Sequence, residues 1–190
     1  MLVVGLGNPG ERYARTRHNV GFRVLDGLAA RLDITFRDAG HCSVAGNGSL
    51  YGRRVFVAEP LTYMNRSGPA VRGLLRDCRL GPEDLLVVHD DLDIEFGRVR
   101  LKRGGGDAGH NGIRSIIEAL GSGGFTRLRM GIGRGTDRGK EADYVLSPFT
   151  PEELREVEDV IDKGVDRICE LIRVWGRDRI PEGPRGERRL

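Results

Sequence analysis

A chain of 190 residues, 38% hydrophobic and 31% charged, has the profile of one globular domain with a sizeable core, which excludes a disordered or fibrous protein. No apolar run is long enough to suggest a membrane span, and no leader is expected ahead of a chain that opens on a core strand, so a cytoplasmic location is expected. The net charge is only +3, although the cations are almost all arginine and are unevenly spread. Cys42, Cys78 and Cys169 are isolated and lack CxxC spacing. They read as reduced packing residues rather than disulfides or zinc ligands, so neither a metal nor a cofactor is expected.

Leu2-Val3-Val4 reads as a buried strand that stops at Gly5-Leu6-Gly7-Asn8-Pro9-Gly10. Gly5, Gly7 and Gly10 satisfy the spacing of a dinucleotide fingerprint. Against that reading, Pro9 removes a backbone N–H where a pyrophosphate would want one, and the helical pattern begins about eight residues later. No acidic residue follows a second strand at the required distance. A simple Asn-Pro-Gly turn is the better account of these residues. Tyr13, the arginines at 12, 15 and 17, His18 and Asn19 then precede a helix with Val20, Val24, Leu25 and Leu28 on one face.

From Ile34 to Ala58 the chain reads as short strands, with turns at Gly46 to Gly48 and at Gly52. Val55 to Ala58 leads into a second strand-to-helix connection loaded with polar groups, including Tyr63, Met64 and Asn65. A helix follows with Val71, Leu74, Leu75 and Cys78 on one face, and Gly81-Pro82 ends it. Leu85-Leu86-Val87-Val88 is the best candidate for a central strand. It emerges into His89-Asp90-Asp91-Leu92-Asp93.

Arg98, Arg100 and Lys102 alternate with Val99 and Leu101, and Arg127 and Arg129 alternate with Leu128 and Met130. Two such strands would line positive charge on one face, as a phosphate-bearing partner requires; a solvated strand face is the competing account. Between them lies Gly104-Gly105-Gly106-Asp107-Ala108-Gly109-His110-Asn111, followed by a helix containing Ile113, Ile116 and Leu120. Tyr144 to Leu146 reads as a short edge strand. Thr150-Pro151-Glu152-Glu153 is expected to start the last long helix. Residues 1–176 form the expected domain, and the basic tail at 177–190 has little to bury and is expected to be disordered.

Alternating strands and helices predict a single α/β domain: a central, mixed but mostly parallel, twisted sheet flanked by helices. Ligands bind at the carboxyl ends of such strands, where Asn8, Tyr13 and His18, then Tyr63 to Asn65, then Asp90, then His110-Asn111 all fall.

The motifs Gly5 to Gly10, Thr16-Arg17-His18-Asn19, Pro60 through Gly68, His89 to Asp93, Gly104 to Gly106 with Gly109 to Gly112, and Arg127-Leu128-Arg129 carry a resemblance. In order and spacing, up to about residue 149, the chain resembles bacterial-type peptidyl-tRNA hydrolases. The resemblance implies cleavage of the ester between a peptide and the 3′-terminal ribose of tRNA, by a cytoplasmic monomer. Carried over position by position, it implies His18 as catalytic base, Asp90 as its carboxylate partner and Asn8 as the residue that discriminates peptidyl from aminoacyl substrates. It implies that Tyr13, Tyr63, Asn65 and Asn111, with Met64 and His110 beside them, contact the peptide or the 3′ end of the tRNA. Lys102 and Arg129 match a basic pair that clamps the 5′-phosphate region. Asp107 sets an anion in the glycine-rich loop.

The chemistry agrees. A neutral histidine can deprotonate water if a carboxylate fixes its tautomer, and no serine or cysteine lies in a nucleophile motif. His89 would point to the other face of its strand and reads as structural, and His41 has no evident partner. The alternative from another class is a non-catalytic RNA-binding relative, such as a splicing factor, which would keep the basic stripes but not the base and its carboxylate.

Overall fold

The computed structural model describes residues 1–135 and 139–175, so the tail expected at 177–190 lies outside the described residues. Its strands are β1 (Leu2–Gly5), β2 (Arg37–Asp38), β3 (Ser43–Leu50), β4 (Arg53–Pro60), β5 (Leu85–Asp91), β6 (Val99–Arg103) and β7 (Thr126–Gly131). They form one sheet in the order β2-β3-β4-β1-β5-β7-β6. β1 is parallel to both β4 and β5, and β7 is parallel to β5. All four central strands therefore end at one edge. The margins are antiparallel, with β3 on β4, β2 on β3 and β6 on β7. The continuous apolar runs of β1 and β5 follow from this, because a strand covered on both faces has no reason to alternate.

Two helical layers do the covering. On one face, α1 (Val20–Arg31) and α6 (Val157–Val174) bury Val24, Leu28, Val165 and Ile168 against Val3, Val57, Val88 and Leu128. On the other, α2 (Ser67–Cys78) and α3 (Asn111–Leu120) bury Val71, Leu74, Ile113 and Ile116 against Leu2, Val4, Leu85 and Val87. No helix among the described residues is long and apolar enough to cross a membrane.

Close backbone approach explains the first glycines better than a phosphate would. A Cβ on Gly5 would lie 2.5 Å from the Gly21 carbonyl oxygen, and one on Gly21 would lie 2.6 Å from the Val88 oxygen. The start of α1 is thereby pressed onto the ends of β1 and β5. Gly68 plays the same part between α2 and α3: its N–H donates to Ser115 Oγ at 2.9 Å, and a Cβ there would sit 2.0 Å from the Ser115 carbonyl oxygen. Backbone cannot yield as a side chain can, so Gly68→Ala is expected to destabilise the fold by about 3 kcal/mol. A shift of the urea midpoint corresponding to under about 1 kcal/mol would mean that the helices separate easily.

Three expectations are corrected. Gly46 and Gly48 do not turn the chain but lie inside β3, because Ile34 packs where their side chains would be; a Cβ on Gly46 would meet Ile34 Cγ2 at 2.4 Å. Tyr144 to Leu146 is not an edge strand. Glu141–Val145 forms a short helix, α4, and the Tyr144 hydroxyl donates to the Ile132 carbonyl at 2.7 Å beyond the end of β7. Thr150 does start a helix through a reciprocal capping box with Glu153, but that helix, α5 (Pro151–Leu154), is a single turn separate from α6. Glu153 is also ion-paired to Arg17, which ties this turn to residues 16–19 while α6 follows its own apolar face into the core.

Candidate active site

His18 sits in a 3-10 turn, Arg17–Asn19, between the end of β1 and α1. Its two neighbours fix that turn from opposite sides. The buried Arg17 guanidinium donates to Ser147 Oγ at 2.7 Å and to the Pro148 carbonyl at 2.5 Å, pairs with Glu153, and lies 4.3 Å over the Tyr144 ring. Asn19 grips Asn8: its Oδ1 accepts from the Asn8 N–H and its Nδ2 donates to the Asn8 carbonyl, both at 2.9 Å. Neither role was apparent in the sequence, because the partners lie 11 or more residues away.

Asp90, near the end of β5, receives two histidines on one oxygen. His18 Nδ1 lies 2.8 Å and His110 Nε2 3.0 Å from Asp90 Oδ1, with the imidazole centroids 5.0 Å apart. Burial by itself would favour the neutral acid, but the positive poles of His18 and His110 and their hydrogen bonds outweigh it and hold the carboxyl well below its ordinary range. An ionised Asp90 can only accept, so both histidines donate to it. For His110 this agrees with its other nitrogen, which accepts from the N–H groups of Gly112 and Ile113 and caps α3. In His18, burial alone would lower the pKa; the charge of Asp90 and its hydrogen bond reverse that and raise it above 6.5. With Nδ1 so engaged, His18 Nε2 is left to the cleft.

Asn8 presents a donor. Its Oδ1 accepts from the Met64 N–H at 2.8 Å, so the amide oxygen is committed and the amide's further hydrogen bonding falls to its NH₂ group. This one bond joins the turn after β1 to the turn after β4. Tyr63 and Asn65 flank Met64 and are exposed, whereas Met64 is buried. Tyr13 is half-buried beneath the Arg12 guanidinium, 4.5 Å from its ring. A cleft of about 290 Å³ opens over the Asp90 cluster, lined by His18, Asp90, His110 and Asn111 with Arg134 and Val145 among the walls. Asn8, Tyr13, Tyr63, Met64, Asn65, Lys102 and Arg129 are not among its lining residues.

The remaining histidines differ from expectation in part. His89 is buried on the face opposite Asp90, yet its ring meets His110 edge-on at 4.7 Å, so it props the site. Burial and the neighbouring His110 keep it neutral. His41 does have a partner, Asp77, at 2.8 Å.

The basic stripes share a face, since β6 and β7 pair Arg100 with Arg129 and Lys102 with Arg127, and directly paired residues project together. They are not a row of free charges. Arg129 is buried and its Nε lies 2.6 Å from Asp91 Oδ2, while Arg127 is buried against the glycine-rich loop. The Asp107 carboxylate in that loop is taken up by the Gly109 N–H at 2.7 Å and by Arg114.

Among the described residues, the group that could hold a metal is His18, Asp90 and His110, with ligand atoms within 4.8 Å of one another. The tautomer of His110 opposes it. Its Nδ1 lone pair is used by two backbone donors, so the proton resides on the Nε2 that a metal would need.

A histidine fixed by an ionised carboxylate at the mouth of a parallel sheet, with no serine or cysteine lining the cleft, is the arrangement of an α/β protein suited to hydrolytic chemistry. The chain belongs to the peptidyl-tRNA hydrolase family, which it matches over residues 2–179. It is 52% identical over 171 residues to the peptidyl-tRNA hydrolase of Geotalea uraniireducens, covering 90% of this chain and 89% of that one. To that of Mycobacterium tuberculosis it is 48% identical over 173 residues, covering 90% and 91%. The crystal structure of the Acinetobacter baumannii peptidyl-tRNA hydrolase superposes with a TM-score of 0.83 at 37% identity, covering 95% of this chain and 90% of that one.

Proposed function

We propose that this protein hydrolyses the ester between the peptide and the 3′-terminal ribose of peptidyl-tRNA, as a cytoplasmic monomer. The observation that carries the reading is the 2.8 Å contact between His18 Nδ1 and Asp90, which leaves Nε2 as a base for the cleft that both residues line. His18 takes a proton from water, which attacks the ester carbonyl; Asp90 stabilises the imidazolium; the proton is then returned to the departing ribose oxygen. Asn8 Nδ2 donates to the carbonyl oxygen of the peptide or to the developing oxyanion. Tyr13, Tyr63, Asn65 and Asn111, with Met64 and His110, hold the peptide and the 3′ end of the tRNA, and Lys102 with Arg129 meets its phosphates. A non-catalytic RNA-binding role is not favoured, because it gives no use to an assembled base and carboxylate.

The test is substrate discrimination. An α-ammonium group next to the ester would set a cation where Asn8 offers a donor, so N-acetyl-aminoacyl-tRNA is expected to be cleaved at least about 10²-fold faster than the free aminoacyl form. Acyl release measured side by side decides this. Equal rates would remove the assignment.

A further inference from the structure

Arg127 is 3% exposed, yet it carries a full charge into the sheet margin beside the basic stripe. Its two terminal nitrogens are spent on backbone: Nη2 donates to the Gly105 carbonyl and Nη1 to the Gly106 carbonyl, each at 2.6 Å, while the guanidinium lies 4.8 Å from the Phe125 ring centroid. Its Nε is buried without a hydrogen-bond partner, which is a cost that apolar packing at this position would avoid. Burial, with Arg129 nearby, brings its pKa down to about 10, so it stays charged at neutral pH. A charge occupied in this way does not itself meet a phosphate.

What the fork fixes is the loop. Peptide bonds are trans throughout the described residues, so turning the Gly105 and Gly106 carbonyls inward turns the N–H groups that follow them outward. The Gly105 backbone lies directly against Lys102: a Cβ built there would meet Lys102 Cε at 3.2 Å and Nζ at 3.4 Å, and its φ of +100° is one that L side chains rarely adopt. Register closes the circle, because Lys102 is the cross-strand partner of Arg127. The loop, the lysine and the buried arginine form one packed unit, in which Gly106 is exposed and Lys102 half-buried.

We propose that Arg127 is a positioning residue of the tRNA clamp: its buried fork holds Gly105 and Gly106 against Lys102, so that the ammonium and the loop N–H meet a single phosphate of the acceptor region. The inference rests on the reading of Lys102 as a phosphate contact and assigns to Arg127 a part that the charge stripe alone would misread. The basic stripe then has two kinds of member, one that touches phosphate and one that shapes the seat.

Steady-state kinetics on the full chain test it, with N-acetyl-aminoacyl-tRNA compared against a short 3′-terminal oligonucleotide ester. Arg127→Gln is expected to raise KM for the full tRNA about fivefold to tenfold, with a far smaller change for the short ester, and to reduce the salt slope by about one. Added to Lys102→Ala, it should raise KM no further, because both act on the same phosphate. Gly105→Ala disturbs the seat without touching Arg127, should give the same split between the two substrates, and carries the test if Arg127→Gln fails to fold. Additive effects with Lys102→Ala, or equal losses on both substrates, would overturn the inference and make Arg127 a structural residue. If Lys102→Ala itself leaves KM for full tRNA unchanged while Arg127→Gln raises it, the clamp reading of Lys102 fails, and with it the part assigned to Arg127.

Discussion

His18→Ala is expected to lower kcat on peptidyl-tRNA by on the order of 10²- to 10⁴-fold, the usual scale for removing a general base, while tRNA binding changes little. The buried position of His18 means the substitution also strips one of two hydrogen bonds from Asp90, a carboxylate with almost no access to water. His18→Asn controls for that loss, since an amide nitrogen can still donate to Asp90 but no nitrogen base faces the cleft. Both variants should bind tRNA as the parent does, and thermal melts would separate lost chemistry from lost fold. Hydrolysis at the parental rate by either one would send the search for the base to His110, whose Nε2 is 3.0 Å from the same oxygen.

The sequence was a good guide wherever the burial pattern of a single segment decided the outcome. Leu85 to Val88 has apolar side chains on both faces because α1 and α2 cover the sheet on both sides, which is why the run stood out as the best candidate for a central strand. The convergence of loops was equally legible, since parallel strands must end together. Where segments meet far apart in the chain, local pattern misled. Gly46 reads as a turn until Ile34 is seen occupying its place, and Tyr144 reads as a strand until its hydroxyl is seen reaching Ile132.

In the site, residue identity was legible and division of labour was not. His18 and Asp90 meet directly, while Asn8 is held by Asn19 and the Met64 backbone and the His18 turn by Arg17, whose sequence signals amount to a polar residue beside a histidine. Alternation showed that Arg127 and Arg129 share a face. It was silent on Asp91 and the Gly105 carbonyl, which are what those two arginines actually hold.

Asp90→Asn should move the pH profile in a direction that the geometry fixes. In the parent, the imidazolium form of His18 cannot accept a proton, so kcat/KM is expected to rise with pH and level off above a midpoint higher than 6.5, because Asp90 raises that pKa against the opposing effect of burial. Without the carboxylate only the burial remains, and the midpoint should fall below 6.5. Both histidines converge on one oxygen, so the amide of an asparagine is best placed with its oxygen there, accepting from both and preserving the Nε2 base. The substitution then removes charge rather than tautomer. The lost stabilisation of the imidazolium, about 1.5–3 kcal/mol for a charge-assisted hydrogen bond, corresponds to roughly 10- to 100-fold in the plateau of kcat/KM. A lower plateau reached at lower pH is the expected outcome of rate profiles measured from about pH 5 to 9. A midpoint that stayed in place or moved upward would show that Asp90 does not set the protonation of His18, and the pair would have to be read as structural.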